Sequence, residues 1–399
     1  MKDQSVIALI TIRRYYRDAE SISERLNKLG YHVVAGFVDK PYTQLITEAD
    51  VCRVIKGIDA EVRYVIVPYN ANVKVRTCNN SLIVRGPRHL YMLPELLKII
   101  NIEEIAREEI DNIVIDNIHK ILDEAFANIK LHYNKAWCVD KLCIPIRPPP
   151  IIVASDLYAS DNPEAVLRKA EHRINSGADF IVLGIGEANH RTYMNILELL
   201  LERNIPVAVD SPEKINLLID ALDTGAHIGF SLTHKKLDSI PPRLREEKAF
   251  VIIPEALGEY TVRVKDLARS EEKAFELGYT KILLDPVAQP LVNPGLMHSL
   301  ITAWHLSRRA QSPIMIGINN AIELLDADSP GAIAVASGLI AESGISIVMV
   351  SEESWKARGL TLEARIAADM ASLALYWRTT MKDLGLNLLI LKEKRRYPA

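Results

Sequence analysis

Glutamine is almost missing from this chain: Gln4, Gln44, Gln289 and Gln311 are the four among 399 residues, against abundant Ile, Glu, Lys and Arg. That composition resembles that of proteins from hyperthermophiles. Cysteine is scarce as well. Cys52, Cys78, Cys138 and Cys143 do not make the dense framework of a small secreted domain. No His or Cys at zinc-site spacing accompanies Cys138 and Cys143, so buried free thiols are expected at all of them. No apolar run approaches the roughly 20 residues that cross a bilayer. The opening Met1-Lys-Asp-Gln leads into a short apolar strand rather than a signal peptide. Charge of one sign is lacking too: the formal net charge of -3 argues against a nucleic-acid or lipid-surface partner. The basic run at 392–396 reads as a solvated tail, and a cytoplasmic protein is expected.

What is present is apolar sequence in quantity. With 399 residues and 49% hydrophobic content, two domains with sizeable cores are expected. Residues 6–11, 31–35, 63–67 and 81–84 read as strands. Amphipathic helices are expected at 17–29, 43–56, 91–100 and from about 102 to 129. The outline over 1–143 is a Rossmann-like open parallel sheet, although no Gly-rich dinucleotide fingerprint is present. Arg85, Arg88 and His89, ahead of a helix start, would suit an anion or phosphate; the alternative is a turn with solvated arginines.

Residues 144–150 contain three consecutive prolines and read as an extended, stiff linker. Beyond them eight Val/Ile/Leu runs recur, at 151–154, 180–183, 207–209, 227–230, 250–253, 281–284, 313–316 and 345–350. Helical patterns separate most of them, with a shorter connection between the fourth and fifth. Eight βα units in this span predict a (β/α)8 TIM barrel over 151–385, built from strands buried on both sides. A last helix over 362–383 would close it. Residues 386–391 read as a further strand pairing with the N-terminal sheet, within a C-terminal segment 386–399.

In such a barrel the site lies at the carboxyl ends of the strands. Those ends carry Ser155-Asp156, Glu187 in the segment running on to Arg191, Asp210, Ser231, Glu255, Asp285, Asn319-Asn320 and Ser351-Glu352-Glu353. A carboxylate such as Asp210 or Asp285 can accept two parallel hydrogen bonds from an aminopyrimidine edge. Asn319 or Asn320 adds a donor and an acceptor to the same heterocycle. Each aspartate alone could instead cap the following helix.

Residues 176–187, 207–211 and 282–286 resemble three motifs of the pterin-binding barrels, the family of dihydropteroate synthases and corrinoid methyltransferases. Residues 317–331 and 351–359 resemble motifs of archaeal dihydropteroate synthase-related proteins, which also carry an N-terminal α/β domain. The resemblance implies a cytoplasmic transferase of folate or methanopterin-type biosynthesis. It would condense a hydroxymethyl-dihydropterin diphosphate with an arylamine, either 4-aminobenzoate or its ribosyl phosphate. Asp210, Asp285 and Asn320 would hold the pterin. Asp156, Glu187, Arg191, Ser231, Asn319, Lys356 and Arg358 would line the rest, with Mg2+ near Asp156. A homodimer formed through the later helices is also implied.

The chain departs from that pattern. Ser155-Asp156-Leu157 replaces an Asn-Val-Thr-Pro motif, Ser231 stands for an asparagine, and the Ser-Arg-Lys and Arg-x-His diphosphate cations are missing. Arg191, Lys356 and Arg358, together with Lys235 and Lys236, could restore them, or could be solvated loop charges. Two other readings follow: a pterin-dependent methyltransferase working with a separate corrinoid protein, and a non-catalytic pterin-binding protein.

Overall fold

The computed structural model describes residues 5–74, 77–78, 80–107, 110–211 and 213–389. They form two compact units, 5–128 with 376–385, and 129–375 with 386–389. The basic run at 392–396 lies outside the described residues.

The first unit is a five-stranded sheet with strand order β2-β1-β3-β5-β4. Its elements are β1 (Val6–Ile12), α1 (Tyr16–Lys28), β2 (His32–Val38), α2 (Glu48–Lys56), β3 (Val62–Val67), β4 (Thr77–Cys78) and β5 (Ser81–Arg85). Helices α3 (Leu93–Ile99), α4 (Ile102–Arg107) and α5 (Ile110–His132) follow. All strands but the short edge strand β4 run parallel, as the Rossmann-like reading expects. β1 is buried along its whole length, which is why it reads as an unbroken apolar run. The 43–56 stretch starts as one 3-10 turn, and α2 begins behind a capping box in which Thr47 and Asp50 satisfy each other's backbone N–H.

In the second unit a hairpin, β6 (Lys135–Val139) and β7 (Leu142–Pro145), precedes the barrel. The barrel strands are β8 (Ile152–Tyr158), β9 (Phe180–Gly184), β10 (Val207–Asp210), β11 (Ile228–Leu232), β12 (Ala249–Ile252), β13 (Lys281–Leu284), β14 (Met315–Gly317) and β15 (Ile347–Ser351). Helices α6 (Pro163–Asn175), α7 (His190–Glu202), α8 (Ile215–Thr224), α9 (Pro242–Glu247) and α10 (Tyr260–Glu276) alternate with the earlier strands. α11 (Leu296–Leu306), α12 (Asn319–Ile322), α13 (Ser329–Glu342) and α14 (Leu360–Tyr376) complete the unit. The eight parallel strands run β13-β12-β11-β10-β9-β8-β15-β14, and one bridge between Leu284 and Ile314 brings the two edges together into a nearly closed barrel.

Every second residue faces the interior: Ile152 and Ala154, Phe180 and Val182, Ala208, Val251, Leu283, Met315 and Ile347 share one core. Val139, Leu142 and Ile144 of the hairpin join that core, and the Trp137 indole N–H donates to the Ile282 carbonyl at 3.2 Å. The hairpin thus plugs the amino end of the barrel, leaving the carboxyl end as the mouth.

Several expectations need correction. The cysteines are paired, not free: Cys52 with Cys78, and Cys138 with Cys143. The second pair follows from hairpin register, since the two residues face each other across β6 and β7. The expected linker begins inside β7, and its Pro148–Pro149 and Pro149–Pro150 bonds are cis. The closing helix ends at Tyr376 rather than 383. Residues 386–389 form no strand, so the proposed pairing with the first sheet is not made by them; 390–391 lie outside the described residues.

Candidate functional site at the barrel mouth

Continuing the inward alternation beyond the apolar layer reaches Asp156, Gly184, Asp210, Asp285, Gly317 and, past Met349, Ser351, while Ile253 after β12 stays apolar. The barrel therefore changes from aliphatic packing to a layer of carboxyls and small residues at its mouth.

Asp285 is only 8% exposed, just past β13. Its Oδ1 accepts the Val287 backbone N–H at 2.7 Å. Burial pushes its carboxyl up to about 7, the Val287 hydrogen bond opposes that, and the charge of Asp210 adds to it. Asp210 is likewise raised, mainly by burial, with the Ser231 hydroxyl bonding its charged form and opposing the rise. Ser231 reaches it because β11 has a register break between Gly229 and Leu232, and Ser231 stands at φ +66°. A bulge of this kind re-aims a side chain, and left-handed backbone in a non-glycine residue at a strand end is a mark of functional sites.

Across the mouth, Asp156 accepts from the Asn319 amide at 3.4 Å. Its carboxyl rises to about 6, chiefly through burial; a Ser351 hydrogen bond opposes the shift and the charges of Glu353 and Glu323 add to it. Three buried acceptor atoms in this layer have no donor: Asp156 Oδ1, Asp210 Oδ1 and Asn319 Oδ1. Buried acceptors left open are costly, so a cluster of them marks a place for a donor-bearing ligand.

Tyr158 was not among the sequence candidates. It continues the inward face of β8, and its ring lies over the end of β9. A Cβ on Gly184 would stand 2.7 Å from that ring, so only glycine leaves room for it. The chief cause that raises the Tyr158 pKa is the charge of Asp156, with burial and Asp210 following. Ending the strand at residue 154 hid Tyr158; carrying the alternation two steps further would have found it.

The remaining candidates are spread out. Asn320 is exposed and donates to the Ala288 carbonyl at 3.2 Å. Glu187 is exposed in the loop after β9. Arg191 lines a groove of about 530 Å³ with Asp161, Pro163, Thr192 and Glu198, between the starts of α6 and α7. The Lys356 ammonium donates to the Ile322 carbonyl at 2.8 Å, at the end of α12. Arg358 is exposed. Lys235 pairs with Glu255 at 3.3 Å. Glu352, expected at the mouth, turns instead to the buried Arg173 and to the N–H groups of Gly359 and Thr361.

In the first unit, Arg88 pairs with Asp383 at 3.2 Å and lies over the Tyr69 ring. His89 lies between the Thr379 hydroxyl and the Lys382 carbonyl. Arg85 donates to the Val73 carbonyl at 3.3 Å. Arg88 and His89 thus bind the 376–385 segment. Among the described residues no group of three or more His, Cys, Asp or Glu is placed to hold a metal ion.

The mouth is that of a (β/α)8 barrel whose strand ends carry unsatisfied acceptors. No family model matches the chain. An uncharacterized protein of Methanocaldococcus jannaschii is 31% identical over 239 residues, a stretch covering 57% of this chain and 45% of that one. The chain thus spans less than half the length of the curated relative it matches. Among solved structures it is similar to dihydropteroate synthase from Thermus thermophilus in complex with 6HMPPP, at 19% identity and a TM-score of 0.46. That likeness covers 60% of this chain and 98% of the other. It is also similar to dihydropteroate synthase from Xanthomonas albilineans in complex with 7,8-dihydropteroate, at 16% identity and a TM-score of 0.45, covering 56% and 93%.

Proposed function

We propose that the barrel binds a pterin at its mouth and acts as a transferase of the dihydropteroate synthase type. The observation that carries the reading is the set of buried acceptors without donors, Asp156 Oδ1, Asp210 Oδ1 and Asn319 Oδ1. A 2-amino-4-oxo pyrimidine edge presents adjacent N–H donors, and an ionised carboxylate accepts two of them in parallel. Asp210 and Asp285 hold that edge. Asn319, oriented by its bond to Asp156, takes a further ring N–H. The Tyr158 ring forms a wall beside them. The motif residues that resemble the pterin-binding barrels, Asp210 and Asp285, belong to this layer, which supports the choice of ring.

In this reading the ring's hydroxymethyl diphosphate is the electrophile and an arylamine, 4-aminobenzoate or its ribosyl phosphate, the nucleophile. The amine forms the new C–N bond while the C–O bond to diphosphate breaks, and the amine's proton leaves to solvent. The chain holds no three-ligand metal cage among its described residues, so we propose that Mg2+ enters with the diphosphate and takes Asp156 as its protein ligand.

One observation favours a second reading. Lys356 is committed to the Ile322 carbonyl, Arg191 lines the α6–α7 groove, and Asp156 stands near Glu323 and Glu353. Such a mouth suits a methyl-pterin, which has no diphosphate, and a separate corrinoid protein as acceptor. Incubation with 6-hydroxymethyl-dihydropterin diphosphate, Mg2+ and either arylamine separates the two. Diphosphate release that disappears in Asp210→Asn supports the synthase-type transfer. Saturable pterin binding without release retires the synthase-type transfer and leaves methyl transfer or pterin carriage.

A further inference from the structure

Arg263, on the first turn of α10, is fully buried, and all the partners of its guanidinium are neutral. Nε donates to the Gly258 carbonyl at 2.8 Å. Nη1 donates to the carbonyls of Pro286 at 3.0 Å and Val287 at 3.1 Å, and to the Ser299 hydroxyl at 3.0 Å. Nη2 donates to the Gln289 side-chain oxygen. Burying a guanidinium without a carboxylate is expensive, and this one is tolerated because its planar fork meets a matching set of acceptors.

Those acceptors belong mostly to one short loop, the one that follows Asp285. Val287 there has φ +59°, a conformation that a β-branched residue rarely adopts. Its carbonyl takes a second bond from the Ser299 hydroxyl at 2.8 Å. The intervening Ala288 carbonyl is held by the Asn320 amide at 3.2 Å. Residues 286–289 are therefore tethered one after another, and the strained Val287 is the residue whose N–H caps Asp285 Oδ1.

We propose that Arg263 is a positioning residue for the mouth: it holds the 286–289 loop so that Val287 occupies Oδ1 of Asp285 and the other oxygen, Oδ2, is presented to the ligand. Asn320 is its counterpart from α12. The identity of that ligand rests on the pterin reading; the clamp itself does not.

The experiment uses the full chain, wild type and Arg263→Lys, which keeps the charge but not the fork, with Arg263→Met as a harsher second variant. Amide exchange of the segment 285–292 and the titration of the Asp285 carboxyl, followed through its 13C signal, are read without any ligand. The wild-type Val287 amide is expected to be protected. In Arg263→Lys it should exchange at least tenfold faster, and the Asp285 midpoint should move upward as its charged form loses a donor. A general loss of packing would not single out that amide and that carboxyl. A Val287 amide unprotected in wild type, or an unchanged amide and midpoint in Arg263→Lys, overturns the proposal, even if Arg263→Met does not fold. Affinity for 6-hydroxymethylpterin is then measured on the same proteins, with about a tenfold loss expected in Arg263→Lys. Absence of binding to wild type would remove the pterin reading and leave the clamp to be decided by exchange and titration.

Discussion

Asp285 and Asp210, at the ends of β13 and β10 with two strands between them in the barrel wall, are near enough across the mouth for the charge of Asp210 to raise the Asp285 pKa, on top of the larger rise that burial causes. Neither has a cation within an ion pair among the described residues. A ring edge with N–H donors supplies what they lack, and it binds the ionised form. Pterin affinity should therefore be greatest above pH 7 and fall by up to roughly tenfold per unit below it, as Asp285 takes up a proton. Asp156, which titrates at about 6, should steepen the fall further down. Fluorescence titrations from pH 5 to 8.5 check this.

The same shift fixes a stability trend. The Asp285 pKa rises from an ordinary 3.8 to about 7 on folding. Between those values the unfolded chain gives up its proton and the folded chain keeps it, so stability present at low pH is lost as pH rises through about 7. Asp285→Asn removes that loss while keeping an oxygen for Val287. At pH 8 the variant should exceed wild type by on the order of 2–4 kcal/mol more than it does at pH 4, read from denaturant midpoints.

Ser231 combines strain with a contact. Ser231→Gly should relax the φ +66° backbone and stabilise the fold slightly, by about 1 kcal/mol or less, with a small rise in the thermal midpoint, while Ser231→Ala should not. Both lose the hydroxyl on Asp210, so both should raise the Asp210 pKa and weaken pterin binding to a similar degree. A calorimetric scan and a binding titration on the pair separate the two effects.

Gly184→Ala tests Tyr158. The added methyl would stand 2.7 Å from the Tyr158 ring, which must swing away from the mouth. About a tenfold loss of pterin affinity is expected with the titrations of Asp210 and Asp285 unchanged; unchanged affinity would show that the ring is not a wall of the site.

Much of this architecture was legible as pattern. All eight barrel strands fall within a few residues of the apolar runs, because a strand buried on both sides must be apolar throughout. Asp156, Asp210 and Asp285 were legible too, since polar residues directly after such runs have one place to go. What pattern could not show were relationships between distant segments. Cys138 meets Cys143 through hairpin register, Glu352 is drawn from the mouth by Arg173, and His89 is taken by Thr379 and Lys382. Arg263 drew no reading from the sequence, since its carbonyl partners leave no trace in side-chain pattern.

The most direct measurement is a binding titration of 6-hydroxymethylpterin against wild type, Asp210→Asn and Asp285→Asn at pH 8. Saturable one-to-one binding to wild type is predicted, weakened by roughly 10-fold to 100-fold in either variant, as the loss of a charge-assisted hydrogen bond requires. Equal affinity for all three proteins, or no binding to any, would contradict the account.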